Sequence, residues 1–197
     1  MTMVDLGKEI WKCELCSFDP MKDARYCGGV GSDYRAMFIA ESPSPKLGKG
    51  KFLGSEGFGK SPADDLFREI RNKYGLGKCY TTDLVKCGIK AGKPDMNKMR
   101  NCVKYLKREI DIVKPSVIVA VGFNLKLADK DKEVDFKNFL ESLLMTNIPI
   151  VKIWHYSYVW NKCQVKKSER KNINNQEINN NKLKIWEKQF VEINRYL

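Results

Sequence analysis

The run Val117-Ile118-Val119-Ala120-Val121, opened by Pro115 and closed by Gly122, is five consecutive apolar residues, four of them β-branched, with no polar face. A strand of this kind must be covered on both sides, which is the habit of parallel sheets layered by helices and not of sheets with one wet face. The rest of the chain supplies the partners. Tyr34 to Ala40 reads as a second short buried strand, stopped at Glu41-Ser42-Pro43-Ser44-Pro45, where two prolines forbid regular pairing. Residues 79–86 and Ile148 to Trp154 are two further strand candidates.

Helical patterns lie between them. Ser61 can cap a helix with Pro62 at its first position, Asp64 and Asp65 in its first turn, Arg71 and Lys73 late and Gly75 or Gly77 as the stop; Leu66, Phe67 and Ile70 form its apolar stripe. Met96, Met99, Val103, Leu106, Ile110 and Val113 recur at spacings of three and four in a helix that Asp95 can cap and Pro115 ends. Phe136, Phe139, Leu140, Leu143 and Leu144 suit a third. Strands and helices alternating in this way predict an α/β chain, three layers α/β/α around a central, mainly parallel four-stranded sheet, with functional residues at the carboxyl ends of the strands. Residues 166–182 turn to Lys, Asn and Glu with almost no core formers and read as a linker or excursion. The closing segment 183–197 carries Ile185, Trp186, Phe190, Ile193 and Leu197 at helical spacing and is expected to dock on the main domain, residues 1–165.

Composition then limits the function. With 36 Lys and Arg against 24 Asp and Glu, the net charge of +12 favours an acidic partner, of which nucleic acid is the commonest. No stretch approaches the roughly 18 apolar residues of a membrane span, and the start lacks the basic and apolar regions of a signal peptide, so a cytoplasmic location is expected. Seven cysteines in such a compartment favour ligation over disulfides. Cys13 and Cys16 form a Cys-x-x-Cys pair, and Cys87 and Cys102 could complete a set of four, with Cys27 and Cys163 as substitutes. Cys79 is too far along an extended strand to share a site with Cys87. One close pair joined by two isolated cysteines is commoner around an iron-sulfur cluster than around structural zinc, although buried cysteines without any metal would show the same spacing.

Gly54-Ser55-Glu56-Gly57-Phe58-Gly59-Lys60-Ser61 matches the phosphate-loop pattern letter for letter. Its context argues against nucleotide hydrolysis. The preceding strand ends fourteen residues earlier, at Ala40, and Pro62 pushes Ser61 out of helical geometry. No later strand ends in an Asp that could hold magnesium.

Taken in order, Cys13-Glu14-Leu15-Cys16, Ala40-Glu41-Ser42-Pro43-Ser44, Lys51-Phe52-Leu53-Gly54, Thr82-Asp83-Leu84-Val85-Lys86-Cys87, Cys102 and His155-Tyr156-Ser157 resemble the motifs of the iron-sulfur (family four) uracil-DNA glycosylases. The resemblance runs from about Ile10 to Cys163. It implies a uracil-DNA-glycosylase-like fold, a [4Fe-4S] cluster on Cys13, Cys16, Cys87 and Cys102, and a monomer acting on DNA that contains a deaminated or damaged base. Such an enzyme flips the nucleotide into a pocket and excises uracil or another altered base by N-glycosidic hydrolysis, the first step of base excision repair. By the same resemblance Phe52 stacks on the base, Asp83 reads its edge, Ala40 and Ser157 line the pocket, His155 donates to the carbonyl oxygen where charge grows, and Glu41 positions or deprotonates the attacking water. Two departures bear on substrate. Asp83 replaces the family's Asn: ionised, it only accepts and suits an exocyclic amine, whereas protonated it regains a donor. Tyr156 replaces the Pro of His-Pro-Ser. The alternative is an iron-sulfur nucleic-acid-binding protein of the same fold without glycosylase activity.

Overall fold

A computed structural model describes residues 2–16, 28–43, 61–87, 96–122, 124–126, 133–162 and 175–197. Its frame is a four-stranded sheet built from β1 (Asp33–Ala40), β2 (Cys79–Asp83), β3 (Val117–Val121) and, further along the chain, β6 (Ile150–Ile153). The order across the sheet is β2-β1-β3-β6, and every neighbouring pair is parallel. All four carboxyl ends therefore lie along one edge. Successive residues face opposite layers, as the pleat requires. Met37 and Ile39 of β1 join Ile118 and Ala120 of β3 in one core, whereas Ala36, Phe38 and Ala40 join Val117, Val119 and Val121 in the other.

The first core is covered by α3 (Met96–Val113) and α4 (Phe136–Leu144), which contribute Met99, Leu106, Phe139 and Leu140. The second is covered by α2 (Pro62–Lys73), with Leu66, Phe67 and Ile70, and by α6 (Asn175–Asn194). Trp186, Phe190 and Ile193 of α6 are fully buried there, each stabilising by about 1.5–3 kcal/mol from apolar area alone. This helix begins at Asn175, inside the stretch read from composition as linker up to residue 182. An Asn-rich segment forms helix poorly by itself, so its order here accompanies tertiary packing of the Trp186 face.

Other differences from the sequence reading are local. Strand β2 stops at Asp83: Leu84 N–H still makes the ladder bond to Ala40 O (2.8 Å), but Val85 N–H turns to Glu41 O (3.0 Å), off the parallel ladder. Helix α1 (Met3–Trp11), with Thr2 and Asp5 forming a capping box, was unread although Leu6 and Ile10 supply its buried face. The short antiparallel pair β4 (Asn124–Lys126) and β5 (Glu133–Asp135) and the seven-residue α5 (Tyr156–Lys162) were unread as well. At the start of α2, Ser61 is the cap as read from sequence. It has extended backbone, its Oγ accepts from Asp64 N–H, and Asp64 reciprocates. Residues 54–60 of the phosphate-loop pattern, and Cys27, Phe52 and Cys163, lie outside the described residues.

Candidate active site

Glu41 and Asp83 follow or end adjacent parallel strands, with Ala40 directly paired to Asp83. The Ala40 carbonyl is already taken by Leu84 N–H. Asp83 is 4% exposed, and its Oδ2 has no hydrogen-bond partner among the described residues. Burial, helped by the charges of Glu109 and Glu41 and opposed by Lys86, pushes its carboxyl up to about 7. Glu41, half-buried, is likewise pushed up to about 7 by desolvation. Two carboxyls held near neutrality side by side are unusual outside a working site.

The third member stands where β6 gives way to α5. His155 O accepts from Tyr158 N–H (2.9 Å) and Val159 N–H (3.1 Å), so His155 caps the helix. Its ring Nδ1 lies 3.2 Å from Ser157 N–H and 2.7 Å from Ser157 Oγ. A backbone N–H can only donate, so Nδ1 is an acceptor and the proton of the neutral ring sits on Nε2. Burial drives His155 down to about 4, against the pull of the Asp64 carboxylate, which keeps the ring neutral at physiological pH. Ser157, expected from sequence to line the pocket, is engaged with the histidine.

Tyr156 joins the two halves. Its ring stacks on His155 at 4.2 Å and on Phe67 at 5.2 Å. Burial, together with the charges of Asp64 and Asp83, holds its phenol far above its usual range. Sequence marks Tyr156 as a replacement for Pro that adds an aromatic able to wedge or stack, and Asp64 only as an acid in a first helical turn. Their joint role depends on α2 and α5 packing together, for which the sequence carries no local signal.

Behind the site lies a buried polar network. Lys86 (1% exposed) pairs with Glu109 (0% exposed) at 2.6 Å. The same Nζ donates to Thr82 Oγ1 (2.7 Å) and to Asp83 O (2.5 Å). Glu109 also accepts from Gly29 N–H (3.1 Å) and Thr82 Oγ1 (3.0 Å). At Gly29 an added Cβ would fall 2.4 Å from the Tyr80 ring, so only glycine fits there.

On the far side of Lys86, Cys13, Cys16, Cys87 and Cys102 line a single cavity that Ile10, Val85 and Tyr105 also wall. Cys102 Sγ accepts from Lys86 N–H (3.4 Å) and Cys16 Sγ from Asn101 Nδ2 (3.4 Å), contacts that suit thiolate sulfurs. Cys79 lies in the core on the opposite face of the sheet. Among the described residues no three ligating side chains are gathered closely enough to hold a metal ion. Four thiols arranged around a cavity fit a polynuclear cluster better than a single ion.

A comparison with family models decides the relationship: the model of the uracil DNA glycosylase superfamily matches residues 27–179. The chain belongs to that superfamily. It is 30% identical over 122 residues to a type-4 uracil-DNA glycosylase of Archaeoglobus fulgidus, covering 60% of this chain and 58% of that protein. To a type-4 uracil-DNA glycosylase of Saccharolobus solfataricus it is 27% identical over 120 residues, covering 59% and 54%. The matched stretch thus spans less than two thirds of these curated relatives. Within the superfamily the central parallel sheet is the expected architecture, and the two carboxyls and the helix-capping histidine sit at its carboxyl edge. No described helix is long and apolar enough to cross a membrane.

Proposed function

We propose that this chain is a DNA N-glycosylase that flips uracil, or another deaminated or damaged base, out of DNA and hydrolyses its N-glycosidic bond. One observation carries the reading. His155 is fixed as a neutral ring with its proton on Nε2, at the same sheet edge as Glu41 and Asp83. As the bond between C1′ and N1 breaks, its electron pair enters the base and negative charge collects on the carbonyl oxygen of the base. A preorganised neutral N–H donor at that oxygen stabilises the departing base without having to give up its proton. Glu41, poised near neutrality, takes a proton from water as the water oxygen bonds to C1′; the freed base is protonated by solvent. Asp83 meets the edge of the base, Ser157 positions His155, and Phe52 is the base-stacking residue by resemblance. The net charge of +12 suits the phosphates of DNA.

We also infer that Cys13, Cys16, Cys87 and Cys102 hold a [4Fe-4S] cluster, supported by their shared cavity and their N–H to sulfur contacts. When bound, the cluster would covalently tie the segment after α1, the segment after β2, and α3. The protein is taken to act as a monomer whose 1–165 domain is closed by residues 183–197. The test is a labelled oligonucleotide carrying one uracil or hypoxanthine, scored for abasic sites after alkali. Cleavage by the wild type that His155→Ala abolishes is the expected result. Intact DNA binding with no cleavage would instead indicate a binding protein of the same fold.

A further inference from the structure

A further cavity lies at the opposite edge of the sheet from Glu41, Asp83 and His155. It has a volume of about 360 Å³ and is walled by Ser32 before β1, by Arg68 and Asn72 of α2, and by Gly77 and Lys78 before β2. Strand β1 runs from this edge to the catalytic one, so roughly 23 Å separates the two. Two glycines let bare backbone form the walls: a Cβ at Gly31 would fall 2.5 Å from Tyr80 Cα, and one at Gly77 would fall 1.8 Å from Asn72 Oδ1. Every polar side chain around the space can donate. Lys78 Nζ, the Asn72 amide and Ser32 Oγ have no hydrogen-bond or ion-pair partner among the described residues. Arg68 is held by Asp65, and the neighbouring Asp33 carboxylate is held by Arg35. Among the described residues that line the cavity there is no carboxylate.

We propose that this cavity binds a phosphate monoester, the dianionic group of a mononucleotide or of a DNA strand end, separately from the catalytic edge. Donors gathered around two cations, with no acid in the wall, select an anion, and Arg beside Lys is a pairing suited to phosphate oxygens. Lys78 supplies a point charge. Arg68 brings a planar fork of donors, of which Asp65 engages Nη2, and Asn72 and Ser32 add neutral donors. Size argues for an organic body as well as a phosphate. The space is that of about a dozen waters, more than the five heavy atoms of inorganic phosphate occupy, and it reaches the lower range of small-molecule pockets. One helix connects the cavity to the catalytic edge: Arg68 follows Phe67, whose ring stacks on Tyr156, which in turn stacks on His155. None of the cavity's own residues takes part in base excision, so the site stands or falls apart from the glycosylase reading.

The test uses the full-length protein as wild type, Lys78→Ala and His155→Ala. Each is titrated by calorimetry and thermal shift with thymidine 5′-monophosphate, thymidine, inorganic phosphate, and a short oligothymidylate with and without a 5′-phosphate. The wild type should bind the monophosphate and not thymidine. Lys78→Ala should weaken that binding roughly 10- to 100-fold, the loss of one charge-assisted bond, whereas His155→Ala should bind like the wild type. A 5′-phosphorylated strand bound more tightly than the mononucleotide identifies the strand end as the occupant, and the reverse order identifies the free nucleotide. Equal affinity in the wild type and a folded Lys78→Ala overturns the proposal, as does equal affinity for thymidine and its monophosphate, or binding of no probe at all. Inorganic phosphate bound as tightly as the monophosphate overturns the assignment to an ester. Binding lost in His155→Ala but kept in Lys78→Ala places the nucleotide at the catalytic edge and also overturns it.

Discussion

The Asp83 carboxyl should leave a mark on stability, measurable without any substrate. In the folded protein Asp83 is held up to about 7, against an ordinary value of 3.8. Between those two values the unfolded chain releases the proton and the folded chain keeps it. The folded state therefore binds more protons, and stability falls as pH rises through that window. A displacement of about three pH units corresponds to about 4 kcal/mol at most, a large part of the roughly 5–15 kcal/mol that holds an ordinary domain together. The loss should be complete by about pH 8. Asp83→Asn has no proton to release, so its stability should run nearly flat over the interval attributable to this residue. Chemical denaturation of both proteins at pH 5 and pH 8 gives the answer. The variant should gain on the wild type by one to a few kcal/mol at pH 8 relative to pH 5, even though an amide there leaves its own donors poorly matched. Equal differences at the two pH values would show that Asp83 is not a buried, desolvated acid and would remove the physical basis for its role in base selection.

Other perturbations test other parts. Lys86→Met strands the fully buried Glu109 carboxylate and should destabilise by about 3–5 kcal/mol, whereas Lys86→Met with Glu109→Leu should recover much of that loss in a double-mutant denaturation cycle. Tyr156→Phe keeps the stack between His155 and Phe67, so it should leave kcat within a few-fold of the wild type with KM unchanged, whereas Tyr156→Ala should lower kcat by an order of magnitude or more. With Glu41 acting as a base held near 7, kcat/KM should rise with pH up to about that value, and Glu41→Gln should remove the rise; His155, neutral above about 4, should contribute no inflection there. Cys87→Ser should weaken or abolish the brown visible absorption of anaerobically purified protein.

How far these features can be read from sequence follows the range of the interactions that make them. Strands β1, β3 and β6 were legible because each is a largely apolar buried run next to a breaker, and helix α2 because its start at Ser61-Pro62 uses only local bonds. The end of β2 was not. It depends on Leu84 and Val85 finding the carbonyls of Ala40 and Glu41, more than forty residues away, and no window of sequence contains both partners. Helix α6 was called short for the same reason. Its Asn-rich first turns are poor helix formers, and the packing of Trp186 and Phe190 against Phe67 and Phe38 is a contact between the end of the chain and its middle. Glu41, Asp83 and His155 could be named beforehand from motif order. The tautomer of His155, the stack of Tyr156 and the unpartnered oxygen of Asp83 are geometric and could not.

The segment Thr82 to Cys87 explains why these features belong together. Asp83 ends β2 at the carboxyl edge of the sheet. Thr82 and Lys86 meet the buried Glu109, Lys86 N–H donates to Cys102 Sγ, and Cys87 reaches the four-cysteine cavity. Six consecutive residues thus span from the carboxyl proposed to read the base to the proposed cluster, with one buried ion pair holding the register between them. Lys86 binds the Asp83 carbonyl through Nζ while its backbone N–H is fixed on a cysteine sulfur. Any shift of the cysteines is passed to the backbone of Asp83 through a single residue. Insertion or deletion anywhere in this run would break both ends at once, whereas the segment can tolerate Asp for Asn at position 83, because that exchange alters only which groups the side chain can accept from and donate to. Base preference is therefore the property of this site most open to change, and the scaffold behind it the least.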